Sequence, residues 1–118
     1  MLSWKNKGLF AKTFYSLNGF TRAFVSERSV RQESAAAVAA PVLAAALGKC
    51  AEDIFSVFLA ALFPLVIELV NTAVEEVIDT LYGPAYREDV RRQKDMLSAA
   101  VLLSLFIGYG VCLKIMFF

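Results

Sequence analysis

Residues 68–79 read ELVNTAVEEVID, and among them Glu68, Asn71, Glu75 and Asp79 recur every three or four positions. On a helix that spacing draws one polar stripe, with Glu76 turned about 100° away from Glu75. Upstream, residues 54–67 carry no charge, and the helical pattern runs on from them through Glu68 to about Leu81. A carboxylate facing lipid from such a helix costs about 2.5–3.5 kcal/mol on insertion scales. Four aligned polar groups therefore call for a bundle interior, a bound cation or a polar cleft. A hydrogen-bond seam between helices would account for one Asn or Glu; four in line, with basic residues nearby, point to function.

Two further apolar stretches flank this helix. Residues 34–48 are uncharged and Ala-rich with Pro41 inside, and residues 96–113 form an uncharged run followed by Lys114. A span needs about 20 apolar residues. The third stretch comes close unaided, whereas the first two reach that length only by counting polar ends, which must face protein or headgroups. The expectation is an all-α membrane protein forming a single domain over residues 1–118, with membrane helices over 33–48, 54–81 and 95–116. Lys49, Glu52 and Asp53 mark the first connection; the second contains Gly83-Pro84 and the cluster Arg87, Arg91, Arg92 and Lys94. The positive-inside rule puts the basic N-terminus and the arginine-rich loop in the cytoplasm, and the Lys49 turn and the C-terminus outside.

Ahead of the first span, Phe10, Phe14, Leu17, Phe20 and Phe24 recur at helical spacing, with Lys12, Tyr15, Gly19 and Arg22 on the opposite side. An aromatic face beneath a basic one predicts an amphipathic helix over residues 9–25 lying in the headgroup plane. A cleaved signal peptide fits poorly, because residues 1–31 lack a continuous apolar core.

Composition narrows the function classes. Apolar residues make up 58% of 118, above the usual content of soluble domains. The net charge of +1 offers no global field for nucleic acid. It hides an asymmetry: Lys5, Lys7, Lys12, Arg22, Arg28 and Arg31 stand against Glu27 alone in residues 1–31. With no histidine, imidazole catalysis and His-ligated metals are excluded. Cys50 and Cys112 fit neither a redox pair nor a zinc site, and read as small apolar residues in helices. Gly48-Lys49 is no P-loop, because Leu43 stands where that loop needs glycine.

Depth separates the carboxylates of the stripe. Glu75 lies about 10.5 Å along the helix from Glu68, so the two cannot ligate one ion. Glu75 can meet a solute from the cytoplasm and Glu68 a molecule resident in the bilayer. Glu27, Arg31, Glu33, Lys94 and Asp95 gather at the cytoplasmic level. Carboxylates suit a hard cation such as Mg²⁺, and lysine is a point-charge partner for phosphate. Taken singly, Glu27 and Lys94 read as headgroup snorkelers; with the stripe they carry weight.

The pattern Tyr15-Ser16 with Gly19, then Glu27-x-x-x-Arg31-Gln32-Glu33, resembles the N-terminal half of the prokaryotic diacylglycerol kinase family. Glu68-x-x-Asn71-x-x-x-Glu75-x-x-x-Asp79 resembles that family's second-helix signature, and Lys94-Asp95-Met96-x-Ser98-Ala99-Ala100 the start of its third helix. The likeness covers about residues 12–113, in order and at matching spacing. It implies a homotrimer of three-span subunits, each with a surface helix, in a bacterial inner membrane. It also implies transfer of the ATP γ-phosphoryl group to the hydroxyl of diacylglycerol, with Mg²⁺. By position, Glu27 and Glu75 would hold metal, Lys94 would contact the phosphates and Asp95 would support them. Glu68 would be the general base and Asn71 would orient polar groups. Tyr15 and the segment Ala85, Tyr86 and Arg87 would lie near the nucleotide; Ser29, Val30, Arg31, Gln32, Glu33 and Ser98 would border the lipid headgroup.

The chain departs from the pattern in two places. Gly8 stands where the family often has a basic nucleotide contact, with Lys7 and Lys12 beside it, and the loop after Tyr82 is one residue longer and more basic. An undecaprenol kinase of the same fold is the nearest alternative, though Arg31-Gln32-Glu33 favours diacylglycerol. A proton-coupled transporter using Glu68 and Glu75 would not need Glu27 or the Lys94-Asp95 pair. In a purely structural helical protein the stripe would serve only as glue.

Overall fold

The computed structural model describes residues 8–118, so Lys5 and Lys7 lie outside the described residues. Four helices account for nearly all of these: α1 Leu9–Ser26, α2 Arg28–Ala46, α3 Ala51–Tyr82 and α4 Glu88–Phe117. Together they fill a slab of 50 × 39 × 20 Å.

α1 buries none of its residues. Its aromatic face points away from the other helices, with Phe10 85% exposed and Phe14, Leu17 and Phe24 also open. The other described helices of the chain leave most of this face uncovered. At Glu27 the backbone is extended (φ −117°, ψ 121°), so α1 and α2 meet at a one-residue corner.

α2 presents Val30, Glu33, Ala37 and Ala44 as its buried face. It ends in a Schellman motif: Gly48 takes φ +80°, with Gly48 N–H donating to Ala45 O at 3.0 Å and Lys49 N–H to Ala44 O at 3.1 Å. This tight turn sends α3 back antiparallel along α2. Cys50, expected inside a helix, is instead the exposed N-cap residue of α3. Glu52 and Asp53 in the first turn of α3 suit the positive end of its dipole.

α4 returns along α3 through small residues. Ser104, Gly108, Cys112 and Met116 recur every fourth position and are all buried. Pro64, inside α3, has no N–H to offer the carbonyl of Ala60. Gly108 seats α4 on that spot: a Cβ there would lie 2.6 Å from Ala60 O and from Pro64 Cδ. Four residues on, Cys112 Sγ donates to Val57 O at 3.4 Å. The apolar core of Ala37, Ala44, Val57, Ala61, Cys112 and Met116 thus lies toward the Lys49 turn.

α3 and α4 are long and apolar enough to cross a membrane. α2 does not meet that measure among the described residues, because Arg28, Arg31, Gln32 and Glu33 occupy its first turns. The helices also outlast the apolar runs. α2 starts at Arg28 rather than residue 33, and α4 at Glu88 rather than residue 95. Backbone hydrogen bonding continues wherever side chains tolerate it, and charged residues favour helix once they leave the hydrocarbon.

Candidate active site

One face of α3 changes character halfway along. Val57, Ala61, Pro64 and Leu65 are buried on it, and the same face continues as Glu68, Asn71 and Glu75. Glu68 is only 7% exposed. Asn71 Nδ2 donates to Glu75 Oε1 at 2.7 Å, one turn apart on the helix. At the far end Lys94 reaches over from α4 and pairs with Asp79 at 2.8 Å. The stripe is therefore continuous, and its last member is tied to the neighbouring helix.

α2 brings a further carboxylate to the same level. Ala44 and Val57 pack in one cluster; Glu33 lies eleven residues before Ala44, and Glu68 eleven after Val57. Eleven residues are about three turns, which returns each side chain to the same face of its helix. Glu33 and Glu68 are both 7% exposed, and each lies within range of the other's charge. Glu33 Oε2 and Ser34 Oγ are buried without a hydrogen-bond partner among the described residues. Glu27, half-buried at the α1–α2 corner, also acts on Glu68, as does Glu75. Lys94 is the cation whose charge reaches Glu75. With Asp79, which pairs with Lys94, five carboxyl groups stand against this one lysine.

These donors fit a hard cation. No group of three or more acidic or thiol side chains among the described residues closes on a single point. Mg²⁺ typically takes one or two protein carboxylates and completes its shell with water and phosphate, so Glu27 and Glu75 suit it as partial ligands.

Other expected site residues stand apart from this cluster. Asp95 turns to the flank, paired with Arg91 at 3.0 Å, and Arg91 also holds Glu88 at 2.6 Å. Tyr15 and Ser98 are exposed, as are Ala85 and Tyr86. Arg87 stacks 4.5 Å over the ring of Tyr82 and pairs with Asp89 at 3.0 Å. The Arg87 guanidinium holds the Asp89 carboxyl below its ordinary range, and Arg91 does the same for Glu88. On α2, Ser29 and Gln32 are exposed, but Val30 is fully buried and offers a lipid headgroup no surface. Arg31 bonds the end of α1. An open, largely apolar groove of about 380 Å³ lies between α3 and α4, lined by Val74, Ile78, Gln93, Met96 and Leu97.

Asp79 belongs to the cluster although only its place in the stripe had marked it. The signal available was the Lys94 cation with no acidic partner at helical spacing on the same side of α4.

Taken together these features define an all-helical membrane protein whose longest helix carries an acidic half beside a phosphate-suited lysine. Residues 14–116 match the family described as prokaryotic diacylglycerol kinase. The diacylglycerol kinase of Escherichia coli K12 is 34% identical over 94 residues, covering 80% of this chain and 76% of that one. That of Haemophilus influenzae is 36% identical over 110 residues, covering 93% and 92%. That of Helicobacter pylori is 33% identical over 99 residues, covering 84% and 77%. The chain belongs to the prokaryotic diacylglycerol kinase family.

Proposed function

We propose that this protein is an ATP-dependent diacylglycerol kinase, converting diacylglycerol to phosphatidic acid at the cytoplasmic face of a bacterial inner membrane. It works as a homotrimer of three-span subunits, N-terminus inside and C-terminus outside. Membership of the family supports the reaction. The observation that carries the site is the half-polar inward face of α3, with Glu68 buried and Lys94 tied to its end. For the third span, the support is α2 packed antiparallel along α3 through Ala37 and Ala44.

Phosphoryl transfer needs positioning and charge neutralisation more than covalent help. Glu27 and Glu75 would hold Mg²⁺, which when bound would neutralise phosphate charge. Lys94 contacts the phosphates, and Asp79 fixes its direction. Glu68, deeper by about two turns, accepts the proton of the lipid hydroxyl. The hydroxyl oxygen then attacks the γ-phosphorus and ADP leaves. Asn71, bonded to Glu75, orients the polar groups between the two levels. Tyr15 and residues 85–87 border the nucleotide, Asp95 supports the phosphate side through Arg91, and Ser29, Gln32, Glu33 and Ser98 lie toward the headgroup, while Arg31 is turned to the end of α1.

The test is ATP consumption in mixed micelles containing diacylglycerol, a polyprenol or no added lipid. Diacylglycerol-dependent turnover is the expected result. Turnover with the polyprenol alone would assign an undecaprenol kinase, and none with either lipid would remove the kinase reading.

A further inference from the structure

Arg31 stands one turn into α2, yet its guanidinium turns back across the corner. Nη1 donates to Phe24 O at 2.9 Å and to Val25 O at 2.9 Å. These carbonyls belong to the last turn of α1, where the break at Glu27 removes the N–H groups a continuing helix would supply. Glu27 N–H donates to Ala23 O at 2.8 Å. Three consecutive carbonyls at the end of α1 are thus bonded, two of them by one cation. A positive charge there also faces the negative end of the α1 dipole.

The corner matters because α1 has little else to fix it. It buries none of its residues, so its angle to α2 depends on the junction. Glu27, the junction residue itself, is half-buried on the side whose charge reaches Glu68. A change in the corner would therefore swing Glu27 before it disturbed the packing of α2 on α3, which runs through Ala37 and Ala44 farther along.

We propose that Arg31 is a positioning residue that locks the α1–α2 corner and so holds the Glu27 carboxylate toward the acidic half of α3. This rests on the reading of Glu27 as a metal-holding residue. It differs from a headgroup role for Arg31, because the nitrogen placed by the structure is engaged with backbone carbonyls. A lysine can serve the same two acceptors, since an ammonium has three donors; a glutamine cannot supply the charge.

The experiment uses the full-length protein in mixed micelles as Arg31→Gln, Arg31→Lys and Glu27→Gln. Binding of Mn²⁺ in the presence of a non-hydrolysable ATP analogue is followed by electron paramagnetic resonance. Amide exchange over residues 23–27 and the KM for diacylglycerol are measured on the same samples. Arg31→Gln should weaken Mn²⁺ binding about 10-fold, the scale of losing a partner that orients a ligand. It should also speed exchange at the corner and leave the lipid KM within about twofold; Arg31→Lys should restore most of both losses. A raised lipid KM with unchanged Mn²⁺ binding would overturn the proposal and make Arg31 a headgroup contact. Equal losses in the Gln and Lys variants would overturn it too, as would unchanged exchange in Arg31→Gln. If Glu27→Gln weakens Mn²⁺ binding and Arg31→Gln does not, the lock alone fails. Normal Mn²⁺ binding by Glu27→Gln would instead remove the metal reading on which the lock depends.

Discussion

Asp79 and Lys94 meet at 2.8 Å across two helices, and their side chains are 59% and 37% exposed. A pair so open to solvent contributes about 0–1 kcal/mol to stability, so its value lies in where it puts the lysine. Asp79→Asn should leave the unfolding midpoint nearly unchanged and weaken ATP binding, measured directly with a non-hydrolysable analogue. A large loss of stability with normal ATP binding would make the pair a structural tie instead. Glu75→Gln tests the next residue along. Its Oε1 can still accept from Asn71, so the chain should fold and assemble while activity is lost; near-normal turnover at saturating Mg²⁺ would contradict the assignment. Adjacent residues on a helix diverge by about 100°, and this explains why Lys94 joins the stripe while Asp95 faces Arg91.

At the scale of elements, the α3–α4 crossing depends on the absence of a side chain at Gly108. Gly108→Ala should cost about 1–3 kcal/mol through overpacking, because the new methyl meets a backbone oxygen and a proline ring, neither of which yields easily. Gly110, where a Cβ meets nothing within 4 Å, is the control. The shift is read from denaturant unfolding in micelles, and equal midpoints for both variants would contradict the close approach. Much of the element plan was legible in the sequence because it is periodic. The aromatic face of α1 and the polar stripe of α3 are each visible within one helix. What could not be read depends on register between helices: the Lys94–Asp79 pair spans a loop, and the contact of Gly108 with Pro64 needs both helices in place. The spacing of Ser104, Gly108 and Cys112 was a signal for that seam, but small residues in an apolar run also occur facing lipid. Val30 shows the same limit, since its burial depends on tertiary packing and not on its neighbours in sequence.

At the scale of the whole molecule, one chain already brings Glu27, Glu33 and Glu75 within electrostatic reach of Glu68. The carboxylates of a site should then come from one subunit. Mixed oligomers of Glu27→Gln and Glu75→Gln chains should accordingly stay inactive; recovered activity would mean that the two residues serve one site from different subunits. In the proposed reaction the depth of Glu68, buried two turns from Glu75, would set its role: it would take the proton of the lipid hydroxyl, while Glu75 would serve the nucleotide side. The most direct measurement is transfer of labelled γ-phosphate from ATP to diacylglycerol by the parent protein and by Glu68→Gln, with ATP binding determined on both. Label should enter the lipid with the parent, and Glu68→Gln should lower kcat by about 10²–10⁴ while binding ATP almost as well. A Glu68→Gln protein that transfers label at the parent rate, or that chiefly loses ATP binding, would contradict the account.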